Sequence, residues 1–404
     1  MAARPGRDGR RSNIGNPVAP RSRAPLFTRS FIALAIADLA YFTAAGAAIF
    51  ALPLFVVGPV GGDEASAGIA FGAFAVSALV LRPIAGRFAD RFGRRPLLVG
   101  GALLASTALA LTGIADSLIA VVALRLVAGV GEAAFFVASF AALADIAPAE
   151  RMGEALSYNS LGLYLGLALG PPFGELLLET GAFGAVWVGA ALLAAVAAVV
   201  VLIVGETRVA RPAVGEPLRI IHRPAIPAAL GFLTSLIAMG GLLAFASLHA
   251  TRLGFPNPSV VLFVYGGTVV VCRVAFARVP DRVPPLVLGS AALCAIGFGA
   301  ALATVWQQPT GFLVATVIMA VGVSFSTPAF FSAIFATATP SERGIAAGTG
   351  SAAIDLGLGI GPILLGLVAA PFGIPWAFAV AAAIAGGGAA WTAGLAYRRR
   401  PRPD

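Results

Sequence analysis

Residues 82–91 read RPIAGRFADR, and residues 273–282 read RVAFARVPDR. Arg82, Arg87, Asp90 and Arg91 each recur 191 positions later, as Arg273, Arg278, Asp281 and Arg282. Gly170-Pro171 recurs at the same offset as Gly361-Pro362, and Glu150-Arg151 recurs as Glu342-Arg343, one position out of step. Agreement at one offset across separate landmarks marks a duplicated unit. What lies around each copy decides the kind of unit. Long apolar blocks flank both, with 59% hydrophobic and only 11% charged residues over the 404-residue chain. A soluble chain of this size needs far more charge to cover its surface.

A bilayer core about 30 Å thick needs roughly 20 apolar helical residues per crossing. Lipid offers the backbone no hydrogen-bond partners, so spans are helices or closed barrels, and these blocks are too long and too evenly apolar for barrel strands. Six spans fall at about 31–57, 65–86, 96–115, 118–144, 154–178 and 183–204, and six more at about 225–250, 258–279, 284–304, 310–337, 345–370 and 373–396. The expected fold is therefore an all-α membrane protein of twelve transmembrane helices in two six-helix repeats. Its expected parts are a disordered basic tail (1–30), a first bundle (31–205), a central loop (206–224), a second bundle (225–397) and a basic tail (398–404). The first apolar run has full span length, unlike the short core of a secretory leader.

Arginine placement orients the bundle. The N-terminal tail, the 2–3 connection (Arg87, Arg91, Arg94, Arg95), the central loop (Arg208, Arg211, Arg219, Arg223) and the C-terminal Arg398, Arg399, Arg400 and Arg402 share one side. The opposite connections hold Asp63, Glu64, Asp116 and Glu179, with Arg252 their one arginine. Both termini are thus expected in the cytoplasm, which an even number of spans also demands. A net charge of +9 placed in this way fits a lipid surface rather than nucleic acid.

All 27 basic residues are arginine. Without lysine the chain has neither a phosphate-binding GxxxxGK[ST] loop nor a pyridoxal Schiff base, so any uphill work has to draw on an ion gradient. His222 and His249 sit at opposite ends of one span, and Cys272 and Cys294 fall inside apolar segments. No metal site, cofactor, disulfide framework or nucleophile–base pair can be assembled, so an enzyme is not expected.

The stretch GRFADRFGRR, Gly86 to Arg95, resembles the GxxxDRxGRR signature of the major facilitator superfamily. A glycine at 86 would let the helix end approach a neighbour closely. The resemblance implies a cytoplasmic gate, an ionic latch built from Gly86, Asp90, Arg91, Gly93, Arg94 and Arg95, with Asp145 as a partner for Arg94. The alternative is a positive cluster at the membrane edge with no gating role. RLVAGVGEAA, Arg125 to Ala134, resembles the family's RxxQG pattern with Ala128 in place of glutamine. GLALGPPFGE, Gly166 to Glu175, resembles the GxxxGPxxGG antiporter pattern (Gly166, Gly170, Pro171, Gly174), with Glu175 replacing its last glycine. In the family that pattern accompanies efflux; read from the residues alone, it is a seam for close helix packing.

Residues present in both halves read as scaffold and gate, and buried ionisable residues present in one half as candidates for solute or proton handling. Asp38 aligns with Ala229, Arg125 with Thr316, Glu132 with Val323, and Asp355 with Tyr164. Ionisable groups at such depths are costly and usually face a polar cavity, where a carboxylate that can lose its charge suits proton uptake. Glu132 and Asp38 are the leading pair, with Asp355 behind them and Arg125 as modulator; the alternative for each acid is a structural role. Three acids against one arginine favour cationic or amphipathic solutes, with Tyr41, Phe135, Phe136, Tyr164 and Phe245 as candidate lining.

The resulting expectation is a monomeric transporter in a bacterial inner membrane that exports drug-like or metabolic compounds against protons, its partners being a small-molecule substrate, protons and the bilayer. One alternative is a proton symporter importing a sugar or organic acid. Another is a transporter-like sensor or assembly protein without flux.

Overall fold

The computed structural model describes residues 25–148, 151–208, 221–339 and 342–398. Most of both tails and of the central loop, together with Glu150, lie outside the described residues. Among the described residues all extended structure is helical. The first half comprises α1 (Arg29–Val57), α2 (Glu64–Phe92), α3 (Arg94–Thr112), α4 (Leu118–Ile146), α5 (Met152–Glu179) and α6 (Phe183–Val204). The second comprises α7 (Ile226–Arg252), α8 (Ser259–Ala275), a one-turn α9 (Val279–Arg282), α10 (Pro285–Val305), α11 (Pro309–Phe335), α12 (Arg343–Phe372) and α13 (Ile374–Arg398).

Eleven of these helices are long and apolar enough to cross a membrane. The twelfth crossing is α8, whose 17 residues rise only about 25 Å. Its expected span ran to 279. It stops at Ala275, shortly before Pro280 in the first turn of α9, whose ring and missing N–H disfavour a helix running on from the residues before it.

Two other boundaries move. Residues 25–30, expected in the tail, belong to the fold: Leu26 is 2% exposed in the core of the first half, and Thr28 caps α1 by accepting the Phe31 N–H. Residues 87–92, expected in a loop, are helical. Counting apolar residues ends the span where the lipid ends, but the helix runs on past it until Gly93 at φ +104° turns the chain into α3.

Close packing rather than hydrophobic attraction holds helices together in lipid, and small residues mark where backbones meet. Within the first half α1 crosses α5 through Gly46, Gly166 and Gly170, and a Cβ added at Gly46 would lie 3.0 Å from the Gly170 Cα. Between the halves α2 runs along α12, α5 along α8, and α1 against α7. On the α2–α12 seam a Cβ at Gly68 would strike the Pro362 carbonyl oxygen, and one at Gly72 the Gly359 carbonyl oxygen.

These tight contacts gather at the end opposite the GRFADRFGRR stretch. There Ser247 Oγ donates to the Phe50 carbonyl at 2.9 Å, Arg252 pairs with Glu64, and Asn257 Nδ2 donates to Glu179 at 3.4 Å. Ser259, the first residue of α8, donates its Oγ to Glu175 at 2.5 Å and its N–H at 3.4 Å. Every one of these bonds joins the two halves.

Candidate functional site

Where the tight end gives way to the middle of the bundle, Arg82 of α2 holds two carboxylates at once. Its Nη2 donates to Glu132 of α4 at 3.2 and 3.3 Å. Its Nε lies 2.7 Å from Asp355 of α12, an ion contact at an angle too poor for a good hydrogen bond. The guanidinium also covers the Phe136 ring, 4.4 Å from its centroid. Glu132 is 7% and Asp355 4% exposed. One pair therefore lies within the first half, and the other crosses to the second.

Charge counting gives this trio a chemical capacity. Two ionised carboxylates and one guanidinium carry one net negative charge, and a single bound proton makes the trio neutral. A buried group of charges that lacks one proton's worth of balance is a natural place to take a proton up and give it back.

The structure brings Glu132 to Arg82 rather than to Asp38. Asp38 of α1 accepts from Ser139 Oγ at 2.9 Å at both oxygens and bonds to Asn159 of α5. It is 1% exposed and ties α1, α4 and α5 together inside one half. Tyr41 stacked on Phe135, with centroids 4.1 Å apart, stands between Asp38 and Glu132 along the α1–α4 seam. Arg125 does not pair with Glu132 either. Its guanidinium sits 4.6 Å from the Phe74 centroid, and its buried Nε has no hydrogen-bond partner.

Arg82 is the residue the sequence reading placed elsewhere: because it recurs as Arg273, it fell among scaffold and gate residues. The available signal was its position, since it lies inside a span, where an unpaired arginine is costly. On α8, Arg273 donates to Tyr164 Oη at 2.7 Å, with its guanidinium 4.1 Å from that ring's centroid. Arg82 thus adds an arginine to the charges counted from the sequence and pairs with two of the three acids, while Arg273 stands on Tyr164. Of the aromatics, Phe136 lies against Arg82 and Tyr164 against Arg273, whereas Tyr41, Phe135 and Phe245 are buried in the core.

At the motif end Arg94 is a second hub. It is 8% exposed, donates Nε to Asp145 at 3.0 Å and Nη1 to the Ala89 carbonyl at 2.6 Å, and contacts Asp90 at 3.0 Å. Glu206, just past α6, accepts the backbone N–H of Arg94 at 2.9 Å and of Arg95 at 3.2 Å, capping α3 from another helix. Arg208 Nη1 donates to the Arg91 carbonyl at 2.8 Å, and the Arg91 guanidinium covers Phe92. All these partners lie in the first half or in the first residues of the central loop that follows it. Glu206 escaped the sequence reading because a cap supplied from 112 residues away leaves no local spacing. Gly86 does not approach a neighbour closely here: a Cβ would meet only Val137 Cγ1, at 3.9 Å. Gly166, Gly170 and Gly174 all face α1, so the GxxxGPxxG stretch is a packing seam within the half.

Two six-helix halves of membrane-spanning helices meeting around buried charges define a polytopic membrane protein built on an internal repeat. The family model of the Major Facilitator Superfamily matches residues 34–334 and 285–404, and the chain belongs to that superfamily. It is 28% identical over 412 residues to an uncharacterised MFS-type transporter of Burkholderia pseudomallei (strain 1106a), covering 95% of this chain and 96% of that one. It is 29% identical over 308 residues to Multidrug resistance protein 1 of Bacillus subtilis (strain 168), covering 73% and 78%. In fold it is similar to a bacterial homologue of the human lysosomal transporter Spinster in an inward-facing and occupied conformation. That likeness has a TM-score of 0.75 at 16% identity and covers 92% of this chain and 96% of that one.

Proposed function

We propose that this transporter exports small amphipathic compounds in exchange for protons, with Arg82, Glu132 and Asp355 as the coupling site and both termini in the cytoplasm. The observation that carries the reading is the sharing of Arg82 between an acid of its own half and an acid of the other. A proton on Asp355 removes one ion pair across the halves, and substrate arriving in the cavity displaces that proton. The multidrug relative supports export. With the motif end cytoplasmic, the described state is closed outside and ready to load from the cytoplasm. Asp38 serves as a structural tie of α1, α4 and α5, and the arginine shared by Glu132 and Asp355 weakens the preference for cations.

Inverted vesicles holding a pH-sensitive dye and an inside-acidic gradient test the reading, with a panel of amphipathic cations, neutral compounds and anions. The intact protein is expected to release protons with at least one panel member. Glu132→Gln and Asp355→Asn are expected to reduce that release to background while the purified proteins stay folded. Release that survives in both variants removes coupling from this trio, and import driven by the same gradient reverses the direction.

A further inference from the structure

The two half-buried cross-half arginines are related by the duplication. Arg82 and Arg273 stand 191 positions apart, and so do Tyr164 and Asp355. In the fold Arg82 of α2 reaches Asp355 of α12, while Arg273 of α8 reaches Tyr164 of α5. Each contact joins a helix of one half to a helix of the other. One bridge therefore exists in two copies related by the pseudo-twofold between the halves. The copies differ in the acceptor: a carboxylate on the α2–α12 seam, a phenol on the α5–α8 seam.

That difference changes what a proton can do. A carboxylate takes a proton from water and becomes a neutral acid, and its ion pair with arginine is gone. A phenol, with an ordinary pKa of about 10, is already neutral throughout the cellular range. The guanidinium over the Tyr164 ring is held by one hydrogen bond and by the ring's face, and neither depends on proton concentration in that range.

We propose that Arg273 and Tyr164 form a proton-insensitive twin of the Arg82–Asp355 bridge, so that proton coupling is confined to the α2–α12 seam by the single exchange of Asp for Tyr between the repeats. The proposal rests on the proton-coupled reading above and assigns Arg273 and Tyr164 as positioning residues. The surroundings fit it. Asp355 is faced by Arg82 from α2 and, further off, by Glu132 from α4. The titratable groups of α7, His249 and Arg252, lie at its opposite end. Those of α13, Tyr397 and Arg398, lie in its last turn, α11 has none, and the turn before α7 brings His222, whose backbone N–H donates to Thr349, and Arg223 to the motif end of α12. Tyr164 is faced by Arg273 and Tyr265 from α8, while α1 brings Asp38 and Tyr41, and α6 no titratable group.

The test reads conformation rather than flux. Spin labels at Phe92 and Phe276, exposed at the motif ends of α2 and α8, report in nanodiscs how the ratio of open to closed states varies with pH, with Cys272 and Cys294 replaced by alanine. The slope of that ratio against pH counts linked protons. Asp355→Tyr, which makes both bridges phenolic, is expected to lower the slope by about one proton, and Asp355→Asn to do the same without added bulk. Tyr164→Asp should raise it by about one, Tyr164→Phe should leave it unchanged, and Asp355→Tyr with Tyr164→Asp should regain what the first change lost. A pH-dependent parent whose slope survives Asp355→Tyr and Asp355→Asn overturns this inference and leaves proton coupling standing elsewhere. A parent with no pH dependence overturns both.

Discussion

Gly93 carries two constraints at once. Its φ of +104° lets α3 start one residue after α2 ends, and its missing side chain leaves room for Glu206, whose Oε2 would collide with a Cβ there. Gly93→Ala should therefore cost about 1–2 kcal/mol in backbone conformation and also displace the cap, visible as a lower melting temperature in detergent. Burial pushes Glu206 up, but the backbone N–H groups of Arg94, Arg208, Arg95 and Thr207 outweigh it and hold its carboxyl below the usual carboxylate range. A lowered folded pKa means the cap is complete above the unfolded value of about 4.3 and is lost as pH falls through the lower folded one. Amide exchange at Arg94 and Arg95, corrected for intrinsic rate, should stay flat from neutral pH to about 5 and rise below about 4. Glu206→Gln should show the faster exchange at every pH. Exchange that quickens already between pH 7 and 6 would assign the cap to another group. Asp145 was legible as Arg94's partner because it ends α4 on the side where the motif places Arg94. Glu206 and Arg82 were not: one acts across the bundle, and the other was masked by its own repetition.

At the level of helices, the α2–α12 seam shows what the glycines are for. Gly68 and Gly72 admit carbonyl oxygens of α12 where any side chain would block them. Forcing methyl groups into a packed seam costs about 1–3 kcal/mol, a shift of roughly five- to 150-fold in the ratio of two states. Gly72→Val should accordingly push the far ends of the halves apart. Spin labels at Ile119 and Trp376, both exposed at that end, should report a longer distance. An unchanged distance with a normal melting curve would mean that the seam yields locally and does not set the conformation. Helix number and nearly all boundaries were legible in the sequence because bilayer thickness dictates span length. The exceptions follow from chemistry that apolar counting ignores: a proline that truncates α8, and a helix that outruns the lipid at α2. The GxxxGPxxG stretch was legible as a close-packing device, but the partner it packs against could not be read from one strand of text. Gly46 of α1 supplies that partner from 120 positions away from Gly166.

Across the whole molecule the glycines at the two ends of the α2–α12 seam behave differently. At the far end Gly68, Gly72 and Gly366 are indispensable to the described packing. At the motif end a Cβ at Gly86 meets one methyl at 3.9 Å, and one at Gly348 of α12 meets nothing within 4 Å. Packing in this state gives no reason for glycine at either position. A state in which the halves rock the other way would, by bringing the motif ends of α2 and α12 together as closely as the far ends are now. Gly86→Val and Gly348→Val should then leave the melting temperature of the described state unchanged, hold the protein in it, and slow transport. The opposite bias comes from the polar ties at the far end. Glu175→Gly restores the family's glycine and removes the carboxylate that meets the N-terminus of α8, and with Arg252→Ala it strips two ties between the halves. That pair should favour the state open at the far end, and adding Gly86→Val to it should return the labelled distances towards the parent's. If the glycine substitutions leave transport at the parent's rate, the motif ends never come together closely. Exchange between the two openings would then involve bending within the halves rather than rocking between them.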